Sequence, residues 1–209
     1  MIAKTKYRLC PALLLLACAA SCQSSAGFEN FHYYSNKAGY AWVPALHMVS
    51  ENKIYTSVRY NYEEASTFSA IGGRSFDGGS KLKTSFTPAA GFATGNYNAF
   101  ILALNTGFSY GLLEFYSQGQ YSFGIGKMQA NCYYSWSDLA CKLTPLFSAG
   151  LALQQRNNWG ASISSDPGVF AELHMGKWNI PFYYFNSVGN ENLFVTGVNM
   201  EWEIKKKHR

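Results

Sequence analysis

Alternating polarity sustained over long segments constrains this chain more than any other feature. From Lys53 onward the sequence divides into runs of about 10 to 13 residues in which apolar and polar side chains alternate, separated by clusters of Gly, Asn, Asp, Ser and Pro. In Ile54 to Glu63 one face carries Ile54, Thr56, Val58, Tyr60 and Tyr62, and the other Tyr55, Ser57, Arg59, Asn61 and Glu63. Ala99 to Tyr110 sets Phe100, Leu102, Leu104, Phe108 and Tyr110 against Ala103, Asn105, Gly107 and Ser109. In Leu112 to Phe123 the apolar set Leu113, Phe115, Tyr121 and Phe123 opposes Glu114, Tyr116, Gln118, Gln120 and Ser122. Leu193 to Glu203 sets Phe194, Val198, Met200 and Trp202 against Asn199, Glu201 and Glu203.

Runs of the same length fall at 66–76, 81–94, 131–142, 145–157, 166–176 and 177–187, which makes ten strands after Asn52. Trp42 to Ser50, interrupted by Pro44, reads as a weaker strand, and Phe31 to Tyr34 as a fragment of another. Strands of soluble proteins run about 5 or 6 residues, whereas a tilted strand that crosses a bilayer needs about 9 to 11. A sheet in a bilayer must also pair every edge, so it closes on itself. The expectation is an all-β, closed antiparallel transmembrane β-barrel of 10–12 strands, with Trp42, Tyr110, Trp178 and Trp202 at strand ends as interfacial aromatics. The competing architecture is a soluble lipocalin-like or two-sheet binding protein.

Composition agrees with the barrel. Of 209 residues 48% are apolar, 17% aromatic and only 14% charged, which is too aromatic for disorder and short of the charge of a soluble domain. No uncharged apolar run of about 20 residues follows the first 20 positions, so a helical membrane protein is disfavoured. Residues 1–26 read as an export signal: Lys4, Lys6 and Arg8 form a basic head, Leu13 to Ala20 an apolar stretch, and Ser21 to Ala26 a small-residue exit. A small-x-small cleavage pattern ends at Ala26, while Cys18 and Cys22 each follow a stretch similar to a lipoprotein processing site. Residues 27–204 then form one barrel domain with a short N-terminal extension, and 205–209 a basic tail.

The chain has 17 Lys and Arg and 12 Asp and Glu; three of the cations lie in the export segment and four in the tail, so the body is slightly acidic. The basic character is terminal and speaks against nucleic-acid binding. Of five cysteines, Cys132 and Cys141 lie in the barrel. On one strand they stand about 30 Å apart and on opposite faces, beyond reach of a disulfide. Neither has a second Cys or His at ligand spacing, and no metal or cofactor motif is present.

The run Ile54 to Glu63, Gly72 in the next strand, Glu114-Phe115-Tyr116-Ser117, and Tyr134-Ser135-Trp136-Ser137-Asp138-Leu139 resemble a family of small bacterial outer-membrane barrel proteins. Such proteins carry an Arg-Tyr-Asn-Tyr-acidic strand and a Tyr-x-Trp-x-acidic-Leu strand. The resemblance spans residues 42–203 and implies a barrel in the outer membrane with no activity attached. Its tail departs from the pattern, since many such barrels end on an aromatic residue. An assembly signal for the barrel-assembly machinery would rest on Phe194, Met200 and Trp202.

Arg59, Glu63, Glu114, Gln118, Gln120 and Arg156 are the expected lumen cluster, with Glu172 a further candidate. Across a narrow bore these groups can form a salt-bridged plug or line a small-solute passage. An enzyme of another class, an outer-membrane lipid-modifying hydrolase or acyltransferase, would use His174 with Glu172 at i, i+2 and Ser164 or Ser165 upstream, or His32 with Ser35 and Asn36. The aromatics Tyr116, Tyr133, Tyr134 and Trp136 serve as lipid-facing belt, lumen filler or a binding platform. Gly72 and Gly73 are expected to allow close packing or a bend.

Overall fold

The computed structural model describes residues 23–126, 129–158, 163–187 and 191–203. Most of residues 1–26, read above as an export signal, and the basic tail lie outside the described residues. Twelve strands run in antiparallel succession: β1 Gln23–Ser35, β2 Gly39–Ser50, β3 Ile54–Tyr60, β4 Thr67–Arg74 resuming as Phe76–Gly78, β5 Lys83–Gly95 and β6 Ala99–Tyr110. The second half comprises β7 Leu113–Gly124, β8 Cys132–Thr144, β9 Phe147–Asn158, β10 Ser164–Met175, β11 Trp178–Ser187 and β12 Glu191–Gly197 resuming as Asn199–Glu203. Each pairs with its sequence neighbours, and β12 returns to β1 through Ser35↔Leu193 down to Ser25↔Glu203. The sheet is therefore closed. The interruptions at Ser75 and Val198 leave the register on either side unchanged.

The ten segments read from the sequence all appear, and Cys132 and Cys141 are both free thiols on β8. Two strands are fuller than expected. The fragment at Phe31 to Tyr34 is part of a 13-residue β1, and β2 begins at Gly39 and carries Pro44 within it. Pro44 opposes Asn30, while the β2–β3 ladder starts only at Ala45, so the donor that proline lacks falls beyond that ladder. β1 is described from Gln23, and Ala26, the expected end of the export segment, is buried between Met48 and Trp202.

The connections at 51–53, 79–82, 111–112, 145–146 and 176–177 form one end of the barrel. Gly111 and Gly176 take the positive φ that such two-residue turns demand, 60° and 66°. Longer connections, among them 61–66 and 125–131, form the other end. Outer-membrane barrels keep their short turns on the periplasmic side, which places both ends of the described chain there.

Outward positions carry Leu102, Leu104, Leu151, Val169 and Phe182 along the height of the wall and Phe194 near its extracellular end, all at least 45% exposed. A surface so apolar suits hydrocarbon. Trp42 lies at the extracellular end, stacked edge-on with Tyr60, while Tyr110, Trp178 and Trp202 lie at the periplasmic end. Inside, the wall is less polar than its sequence face implied. Trp136, Phe170, Tyr183, Phe185 and Val195 form a buried cluster against Phe31 and Tyr33, and Ile71, Ala93, Ala99, Ile101 and Ala103 form a second. Trp136 meets Tyr183 and Phe185 edge-on at 4.8 and 5.0 Å between ring centroids. These aromatics fill one side of the bore.

Candidate functional site: a two-chambered lumen with a tyrosine constriction

The unfilled side of the bore holds two cavities. A chamber of about 610 Å³ opens among the periplasmic ends of the strands and is lined in part by Glu29, His47, Arg59, Gln118, Asp138 and Glu172. A smaller one of about 230 Å³ lies on the extracellular side, with Gln154, Arg156 and Asp166 in its wall. The two share Tyr33, Val43, Tyr62 and Tyr134 as walls. Those side chains form the constriction between them.

The constriction is built by the connection after β3. The strand ends at Tyr60, and Asn61 turns the chain with φ 58°. The Asn61 amide donates to the Trp42 carbonyl at 2.8 Å, and its Oδ1 accepts from the Ser66 backbone N–H at 2.7 Å. This fold-back swings Tyr62 into the bore, whereas the alternation had assigned it to the lipid face. Its ring meets Tyr134 edge-on at 5.6 Å, and the Arg59 guanidinium lies 4.1 Å from its centroid. Burial pushes the Tyr62 phenol up from its ordinary value, with Arg59 pulling it partly back.

Arg59 Nη2 donates to Glu63 Oε1 at 2.7 Å, and both side chains are only 2% exposed. The sequence placed both in the lumen, meeting across the bore. They meet locally, because the turn at Asn61 brings together two residues that an extended strand would hold about 13 Å apart. Arg59 Nη1 and Glu63 Oε2 are buried without hydrogen-bond partners.

The remaining members of the expected cluster are dispersed along the bore. Glu114 pairs with Lys142 at 2.7 Å near the periplasmic rim, not with Arg59. Gln118 lines the lower chamber, Gln120 is buried with its amide donating to Ser122 Oγ at 3.4 Å, and Arg156 lines the upper chamber. Lumen charges outside the expected cluster are Glu29, Asp77, Asp138 and Glu201, of which the alternation had placed Glu201 on a polar face. Asp138 accepts from Trp136 Nε1 at 2.8 Å and from Tyr183 OH at 3.0 Å. Its signal was present: Tyr134, Trp136 and Asp138 alternate, so one inward residue places all three inside. Tyr116 also lines the lower chamber.

His174 occupies an unexpected network. Its Nε2 lies 2.8 Å from Ser148 Oγ and its Nδ1 3.0 Å from Asn179 Oδ1, while Glu172 is 4.0 Å from Nε2. Ser164 and Ser165 are not its partners; Ser164 Oγ donates to Asp166 and Ser165 Oγ accepts from Gln155. The order hydroxyl, imidazole, amide is that of a hydrolytic relay. Ser148 is only 2% exposed, however, so a substrate carbonyl has no approach to its Oγ. His32 contacts Tyr40 OH at 2.8 Å and Asn30 at 3.1 Å, on the outer wall, and Ser35 Oγ instead accepts from the backbone N–H groups of Lys37 and Ala38. Among the described residues no group of three or more His, Cys, Asp or Glu is placed to hold a metal ion.

The sequence matches no protein-family model and no curated protein. Among solved structures it is similar to the porin KdgM, one structure of which is a complex with disordered oligogalacturonate, at 11% identity and a TM-score of 0.62, covering 83% of this chain and 98% of that one. It is also similar to the porin NanC, at 9% identity and a TM-score of 0.61, with 83% of this chain and 98% of the other covered. At such identities the likeness speaks to architecture. The chain has the fold of bacterial outer-membrane porins, as a closed antiparallel barrel of twelve strands.

Proposed function

We propose that this protein sits in the bacterial outer membrane and passes small solutes through its lumen, with the constriction of Tyr33, Tyr62 and Tyr134 setting their size. The observation that carries this reading is the shared wall: two chambers on opposite sides of one ring of side chains lie in series between the extracellular and periplasmic mouths. Twelve strands enclose a narrow bore compared with the 16 or more of wide porins. The aromatic cluster around Trp136 narrows it further. Lipid would cover the apolar outer wall, and the barrel-assembly machinery would recognise the last strand through Phe194, Met200 and Trp202. No cofactor is needed for passage.

The test is to refold the barrel in detergent, establish folding by a heat-dependent gel shift, and record single channels in planar bilayers. Tyr62→Ala removes the side chain that turns into the bore, so the expected result is a larger unitary step than the parent's. A folded barrel in which neither protein conducts would refute the passage reading and leave a filled structural barrel.

A further inference from the structure

We infer that the periplasmic chamber makes the passage selective for small cations and turns acidic solutes away. This deepens the passage reading and rests on it. Six carboxylates line the chamber, from Glu29, Asp77, Glu114, Asp138, Glu172 and Glu201. Among the described residues Arg59 is the one permanent cation in the same wall.

The local pairings decide how much of that charge is felt inside. Asp77 is matched by Lys53 and Glu114 by Lys142, each at 2.7 Å, so the rim is close to neutral. Arg59 is matched by Glu63 at 2.7 Å. That leaves Glu29, Asp138, Glu172 and Glu201, brought by β1, β8, β10 and β12. Glu29 faces the His47 imidazole at 3.5 Å and Glu172 the His174 imidazole at 4.0 Å. Asp138 takes two neutral donors, Trp136 and Tyr183. Glu201 stands opposite Gly27 on β1 and acts electrostatically on both Glu29 and Glu172. Gly27 leaves room for the His47 ring, which a Cβ there would strike. Glu29, Glu172 and Glu201 thus converge on one arc of the wall, and among the described residues none of them is in an ion pair with a lysine or arginine; Arg59 and Lys142 act on Glu29 and Glu172 only from beyond contact.

A second observation is independent of this charge count. Asn105 Oδ1, in the chamber wall, is a buried acceptor without a hydrogen-bond partner. Arg59 Nη1, in the same wall, and Gln154 Nε2, in the wall of the upper chamber, are buried donors without one. Asn105 Oδ1 offers that acceptor to a cation or to a solute bearing N–H groups that sheds water in the chamber. Walls of low dielectric focus the field of the carboxylates along the bore, as charged rings do in selective pores. A polyanion such as the oligogalacturonate held by KdgM would meet repulsion here.

The experiment is the reversal potential of the refolded barrel across a potassium chloride gradient, for the parent and for the Glu29→Gln, Glu172→Gln, Glu201→Gln triple variant, with folding established by heat shift. The expected result is a potential displaced toward that of potassium, by a permeability ratio of several-fold, which falls toward one in the triple variant. A parent that conducts at a potential near zero or near that of chloride, or a triple variant that keeps the parent's selectivity, would overturn the inference while leaving the passage intact. If the triple variant does not fold, Glu201→Gln alone is read in the same way. Silence of both the folded parent and Tyr62→Ala would remove the passage, and the selectivity with it.

Discussion

Both side chains of the Arg59–Glu63 pair are buried, and its energetics follow from that burial. Removing one partner of a buried pair leaves the other charge uncompensated, which costs about 3–5 kcal/mol, whereas an exposed pair is worth about 0–1 kcal/mol. Arg59 also donates to Ser69 Oγ at 3.3 Å and lies against the Tyr62 ring, so truncation removes more than charge. Arg59→Ala is therefore expected to lower the urea midpoint of the refolded barrel by an amount equivalent to about 3–5 kcal/mol. The contrasting substitution is Lys53→Ala, whose partner Asp77 is about half exposed and which should cost no more than about 1 kcal/mol. Equal losses in the two variants would show that the Arg59 pair is as solvated as the rim. The type and inward face of Arg59 were legible from its strand. Its pairing was not, because it depends on the left-handed turn at Asn61, and a lone Asn in a polar run does not announce one.

At the scale of the strand, β4 shows what a closed sheet demands of its glycines. Gly72 and Gly73 are adjacent, yet a Cβ on Gly72 would meet nothing nearer than the Tyr55 carbonyl at 3.8 Å, while one on Gly73 would strike the Pro88 carbonyl and Ala89 of β5. Only Gly73 marks a close backbone approach. Gly73→Ala should then destabilise the barrel by about 1–3 kcal/mol, with Gly72→Ala losing well under 1 kcal/mol, when urea midpoints are compared. Similar losses at both positions would contradict the approach of β5 to Gly73. Strands such as β6 and β7 were readable, since their outward faces are apolar apart from the Thr106–Ser117 rung. β1 was not, because Asn30 and His32 face outward and break the alternation. They are tolerated there because Trp42 Nε1 donates to Asn30 Oδ1 at 2.6 Å and Tyr40 OH meets His32 Nδ1 at 2.8 Å, partners supplied by another strand and invisible in a local window.

For the molecule as a whole, closure depends on β1, the strand the sequence showed least clearly and the one that overlaps the expected export signal of residues 1–26. β1 pairs with β2 along its length and with β12 from Ser35 to Ser25, so its first residues are rungs of the seam. Cleavage after Ala26 would delete Ser25↔Glu203 and Ala26↔Trp202 on one side and Ser25↔Val49 and Ala26↔Met48 on the other. It would leave the Trp202 end of the seam unpaired near the periplasmic interface, and unpaired backbone at a bilayer costs several kcal/mol per group. Processing upstream of Gln23, whether by lipoprotein maturation at Cys22 or by an earlier cut, keeps every rung. Intact-mass measurement of the protein extracted from outer membranes is thus expected to give an N-terminus at or before Gln23, with the added mass of a lipid if Cys22 is the processed residue. An N-terminus at Gly27 would mean that the seam closes on fewer rungs than β1 offers. The periplasmic mouth, where Glu201 stands opposite Gly27, would then be open at the point where its carboxylates gather.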